Sequence, residues 1–159
     1  GAYRLYVGTE GDWQSEVKNR LKGCSLCVIR MAETEGVTWE INNVLNRLPL
    51  EKILLIVSGD MELQMRYRTQ LEERMKSAGH QLDNAEWTLL EERIKSGRGQ
   101  TIYIGFAGAH LFHTASLDVL TEFLMVLREL YAKEYEDENL QELLNSDNSK
   151  FFNLCCMLK

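Results

Sequence analysis

The stretch Lys52, Ile53, Leu54, Leu55, Ile56, Val57, Ser58, Gly59, Asp60 decides the fold. Five consecutive aliphatic side chains, Ile53 to Val57, leave no polar face, which is the pattern of a strand buried on both sides of a parallel sheet. Gly59 ends the strand. Asp60 then suits a helix N-cap, because its carboxylate can accept from the free N–H groups of the first turn. The helix so begun runs to Gly79 with Leu63, Tyr67, Leu71 and Met75 as its inner stripe.

The same rhythm extends toward the N-terminus. Residues 39–48 place Ile41, Val44, Leu45 and Leu48 at helical spacing and stop before Pro49. Residues 24–31 hold the continuous apolar run Leu26, Cys27, Val28, Ile29, a second buried strand. Residues 2–7 alternate aromatic and aliphatic side chains up to Gly8 and predict a strand. Asp12 then caps a helix with Trp13, Val17 and Leu21 on one face.

Toward the C-terminus, residues 81–99 read as a helix through Trp87, Leu89, Leu90 and Ile94, with an edge strand as the alternative. Residues 101–107 form a fourth strand ended by Gly108, and residues 117–131 an amphipathic helix. Strands alternating with helices imply right-handed crossovers and a mostly parallel sheet. The expected architecture is therefore one α/β domain over residues 1–159, a three-layer α/β/α sandwich with strand order 2-1-3-4. An acidic helical extension at about 129–159 closes it.

Composition narrows the function. The chain is 45% hydrophobic and 26% charged with a single proline, which fits a packed globular domain. Seven acids between Glu129 and Asp147 stand against Lys133 alone and account for the whole formal charge of −6. No basic stripe is left to neutralise phosphates, so nucleic acid is not an expected partner. The run Ile53 to Val57 is the longest aliphatic one, far short of a membrane span. The chain opens on Gly1 without a secretory signal, so a cytoplasmic fragment of a longer protein is expected, with its four cysteines free.

In an open parallel sheet, ligands bind beyond the carboxyl ends of the strands. That rule selects the loops 8–12, 30–38, 58–61 and 105–113. The first, with Gly8, Thr9, Glu10, Gly11 and Asp12, could bring backbone amides to a ribose, or serve as a plain turn with its N-cap. The second carries Glu33, Thr34, Glu35, Gly36, Val37, Thr38, Trp39 and Glu40, a glycine loop running into a helix with a carboxylate in its first turn. A first-turn glutamate also complements the helix dipole.

This second segment resembles the loop and helix of nucleoside 2-deoxyribosyltransferase-like and Toll/interleukin-1 receptor (TIR)-like domains. It resembles more closely certain cytosolic domains of bacterial multi-pass membrane proteins. The shared features are the aromatic strand Tyr3 to Val7, Asp12 with Trp13, and the turn Gly36, Trp39, Glu40, Ile41, all within residues 2–58. The resemblance implies a flavodoxin-like or TIR-like fold and makes Glu40 the catalytic carboxylate at an N-glycosidic bond. Gly8, Thr9, Glu10, Glu33, Glu35, Gly36 and Trp39 would then be ligand contacts.

Other candidates are read as structural. Cys24 and Cys27 have redox spacing, yet they enter a strand rather than a helix N-terminus, so buried packing is expected. His110 and His113 have ligand-like spacing without a second cluster to complete a metal site. Gly97, Arg98 and Gly99 read as a flexible loop, and residues 151–158 as an apolar tail packed on the sheet edge.

The functional expectation is a nucleotide-sensing or protein-interaction domain attached to a bacterial membrane protein. The alternative is an N-glycoside hydrolase or transferase acting through Glu40 on a nucleoside or NAD-like substrate. Expected partners are a nucleotide or nucleoside and, in the case of a purely structural module, a second copy of the chain. No cofactor follows from the residues.

Overall fold

The computed structural model describes residues 13–24, 26–107, 110–121 and 125. The strand expected at 2–7, the loop 8–12 and the acidic extension at 129–159 lie outside the described residues.

The elements are α1 (Trp13–Leu21), β1 (Cys27–Arg30), α2 (Glu35–Arg47), a 3-10 turn (Leu50–Lys52), β2 (Ile53–Val57), α3 (Met61–Ser77), α4 (Asn84–Gly97), β3 (Ile102–Ala107) and β4 (His110–Thr114). Helical turns follow at 117–121. The aliphatic run that opened the sequence reading is β2, buried along its whole length.

The sheet is mixed, in the order β1-β2-β3-β4. β1 and β2 run parallel, from Cys27 opposite Ile53 to Arg30 opposite Ile56. β3 runs antiparallel to β2, with Val57 opposite Ile102 and Leu54 opposite Gly105. β4 returns antiparallel along β3, from Ala107 opposite His110 to Tyr103 opposite Thr114. Two corrections follow. The sheet is mostly antiparallel, not mostly parallel, and β1 lies directly on β2, so the order 2-1-3-4, which needed another strand between them, does not hold.

The cause is the pair of helices between β2 and β3. One helix carries the chain back along the sheet and sets the next strand parallel, as α2 does between β1 and β2. Two helices carry it back and forth again, so β3 starts at the end where β2 stopped. Gln64 records this return: on the second turn of α3, its Nε2 donates to the carbonyl of Gln100 (2.7 Å), beyond α4, and lies 3.5 Å from the carbonyl of Val57. Arg68 of α3 lies over the Trp87 ring of α4, 5.6 Å from its centroid.

Alternation along the strands divides the core. Ile29, Ile53, Leu55, Val57, Ile102, Ile104 and Phe106 form one cluster with Ile41, Val44 and Leu45 of α2, Tyr67, Leu71 and Met75 of α3, and Trp87, Leu90 and Ile94 of α4. Val28, Leu54, Ile56 and Tyr103, which point to the other face, are buried as well. α1 packs on α2 through Trp13 and Trp39, whose rings meet edge to face with centroids 4.8 Å apart. Among the described residues no helix is long and apolar enough to cross a membrane.

Candidate functional site

β1 and β2 finish side by side, where the Met31 N–H donates to the carbonyl of Ile56 at 2.9 Å. Each strand then feeds a capped helix at the same rim. Thr34 caps α2 by accepting from the N–H of Val37 (3.3 Å), and Asp60 caps α3 by accepting from the N–H of Leu63 (2.8 Å). Two helix N-termini, each with free N–H donors and the positive end of a dipole, therefore open together. Arg66 of α3 ties them, donating through Nε to Glu33 Oε1 at 2.9 Å.

Because β3 starts where β2 ends, the loop at 98–101 joins this rim. Gly59 has φ 113° and Gly99 has φ 82°, both in the region that favours glycine. A Cβ on Gly99 would meet the carbonyl oxygen of Gly59 at 3.3 Å, and one on Gly59 would meet Leu63 Cδ2 at 2.6 Å. The close approach of the two loops thus depends on Gly99 having no side chain, while Gly59 needs none beside Leu63. Arg98, at φ 47°, stands exposed between them and α4.

Of the loops selected from sequence, 30–38 and 58–61 do share this rim. The segment 105–113 does not, because the reversed direction of β3 sends its far end to the opposite side of the sheet, where it turns into β4. Gly8, Thr9 and Glu10 lie outside the described residues.

Within 30–38, the helix starts earlier than the spacing predicted. The Thr34 cap sets Glu35 as the first helical residue, so Gly36 sits inside the first turn rather than in a loop, with open space where a Cβ would go. Glu33 and Glu35 are exposed at the rim. Glu40 falls in the second turn, half-buried, and burial raises its carboxyl above the ordinary range. Its charge acts on Cys27, at the end of β1 remote from the rim. The fold brings Glu33, Glu35 and Gly36 together and sets Glu40 apart from them. Trp39 packs between Trp13 and Lys18 of α1, the Lys18 Nζ being 5.6 Å from its ring centroid.

The two histidines on β4 are three residues apart on a strand and so point to opposite faces. His110 is exposed, with Nδ1 3.0 Å from Glu86 Oε1. His113 is half-buried, its Nδ1 without a hydrogen-bond partner, and burial, with Arg93 nearby, lowers its pKa. Among the described residues no group of three His, Cys, Asp or Glu side chains is placed to hold a metal ion.

Sequence reasoning missed Ser58, whose Oγ is buried at the rim without a hydrogen-bond partner, and the pairing of Gly59 with Gly99. A signal for the first existed: a hydroxyl ending an otherwise aliphatic strand at a carboxyl end. The second depends on two loops forty residues apart meeting, which spacing does not show. Comparison with protein-family models, with curated proteins and with solved structures finds no match.

Proposed function

We propose that the chain is a nucleotide-sensing or protein-interaction domain, on the cytosolic side of a larger membrane-anchored bacterial protein, and that it binds at the β1–β2 rim. The observation that supports this is the meeting of two capped helix N-termini with the exposed carboxylates Glu33 and Glu35 at one edge. The carboxylates suit the hydroxyls of a ribose, and the helix N–H groups suit an anionic or carbonyl group beside it. In finer terms the fold we propose is a three-layer α/β/α sandwich around the mixed sheet. Burial of Val28, Leu54 and Ile56 on the second face supports the third layer.

A second reading, an N-glycoside hydrolase or transferase working through Glu40, is favoured by one observation. Burial holds that carboxyl above its ordinary range, as a general acid requires. Its separation from the rim weighs against a shared site with Glu33 and Glu35.

The two readings part in one experiment. The chain is melted with a panel of nucleosides, nucleotides and NAD, and each mixture is assayed for release of free base. A binder gives a rise in Tm with its ligand, about 2.7 kcal/mol of stabilisation at a hundredfold excess over Kd. That rise disappears in the Glu33→Ala, Glu35→Ala double variant, and no base is released. Base release by the native chain that Glu40→Gln abolishes would establish the enzyme instead.

A further inference from the structure

The turn closing α1, in which the Cys24 N–H donates to the carbonyl of Leu21 at 3.3 Å, delivers Cys24 just ahead of β1, and Cys27 opens that strand. Both thiols are free and half-buried. Both pack against the same core cluster, which sets the Cys27 S–H and the Leu26 N–H toward the Cys24 sulfur. Lys52, at the start of β2, donates through Nζ to the carbonyl of Cys24 at 3.3 Å, which brings its positive charge to this end of the sheet.

These neighbours make the pair unequal. The bond from Cys27, the Leu26 N–H and the charge of Lys52 outweigh burial and lower the pKa of Cys24. For Cys27 the same hydrogen bond, burial, and the negative charges of Cys24 and Glu40 all act the other way, and its thiol is raised well above the ordinary value. A thiolate is the nucleophile in disulfide exchange. Cys24 is therefore the sulfur prepared to attack, and Cys27 holds its proton until a second step.

We propose that Cys24 and Cys27 form a reversible dithiol–disulfide site that exchanges with low-molecular-weight disulfides, Cys24 attacking and Cys27 resolving. With glutathione disulfide as oxidant, the Cys24 thiolate attacks one sulfur, an S–S bond forms to Cys24, the glutathione S–S bond breaks, and one glutathione thiolate leaves. Cys27 then loses its proton and attacks the Cys24 sulfur. The internal disulfide forms and the second glutathione thiolate leaves. The two thiol protons end on the two glutathiones, so dithiol plus oxidised glutathione becomes disulfide plus two reduced glutathiones. The site lies at the opposite end of β1 from the rim and is independent of binding there.

The native chain is incubated with glutathione disulfide, its remaining thiols are alkylated, and it is digested with trypsin. Cleavage after Lys22 and Arg30 places both cysteines on one peptide, residues 23–30, apart from Cys155 and Cys156. The expected peptide is two hydrogens lighter than its reduced form and carries no alkyl group. In single variants, Cys27→Ser takes glutathione onto Cys24 about tenfold faster than Cys24→Ser takes it onto Cys27. A native peptide that keeps both alkyl groups, or that carries glutathione without an internal bridge, overturns the proposal. Equal or reversed rates overturn the assigned roles, and the native peptide map decides the site even if a variant fails to fold.

Discussion

The strand pair β1–β2 runs parallel and the hairpin β3–β4 antiparallel, although β3 is buried from Ile102 to Phe106 much as β2 is from Ile53 to Val57. What differs is the chain between strands. A single helix, α2, joins β1 to β2, two helices join β2 to β3, and two residues separate β3 from β4. Direction is set by how many times the chain traverses the sheet, not by how apolar the strands are. The functional consequence is that the start of β3, rather than its end, meets the β1–β2 rim.

The largest test of this comparison lies in the antiparallel half. Phe106 of β3 is fully buried in the core cluster, and Phe106→Ala should cost about 3–5 kcal/mol in chemical denaturation. The matching conservative change in the parallel half, Ile41→Val, should cost about 0.5–1.5 kcal/mol. Near-equal small losses would mean that the hairpin does not share the core of β1 and β2.

Next in size is the clasp at the seam. Gln64→Ala removes the donor to the Gln100 carbonyl in a fully buried setting and should cost about 1–3 kcal/mol. If the loss falls within a few tenths, α3 and α4 do not hold the start of β3 against the end of β2.

The rim glycines sharpen the contrast. Gly59→Ala places a side chain at φ 113° against Leu63 and should destabilise by about 1–3 kcal/mol. Gly36→Ala, in a helical turn with open space at Cβ, should stabilise by about 0.4–1 kcal/mol. Melting curves of the two variants moving in the same direction would contradict the assigned conformations.

The smallest effect is a pH dependence at Glu40. Its carboxyl is raised by burial in the folded chain above the ordinary 4.5, so the folded state keeps the proton to higher pH than the unfolded state. Its contribution to stability is full below the ordinary value and is lost as pH rises through the folded one. Glu40→Gln should accordingly be more stable than the native chain at neutral pH and converge with it in acid. A variant less stable at neutral pH would show that the charge is held by a favourable partner.

Much of the architecture was legible in the sequence. The unbroken run Ile53 to Val57, the stripe Leu63, Tyr67, Leu71, Met75 and the Asp60 cap give a strand, a helix and its start from side-chain chemistry alone. The direction of β3 follows from two helical crossings, and spacing shows the second only where residues 81–99 are a helix rather than the alternative edge strand. β4 is hidden in the sequence because its apolar positions, Leu111 and Phe112, are interrupted by His110 and His113, although a two-residue link beginning with Gly108 is a hairpin signal. Gly36 masks the start of α2 in the sequence, because glycine signals a loop, whereas Thr34 supplies the cap. Sequence spacing placed Glu33, Glu35 and Glu40 together. Helical rise separates them, because Glu40 is one turn further along and faces the start of β1.

The direction of β3 is measured most directly by cross-strand nuclear Overhauser effects between β2 and β3 in the isotope-labelled chain. Contacts descending in register, Val57 with Ile102, Leu55 with Ile104 and Leu54 with Gly105, are predicted. Contacts that ascend together, Leu54 with Ile102 and Val57 with Gly105, would contradict the antiparallel turn and remove the 98–101 loop from the rim.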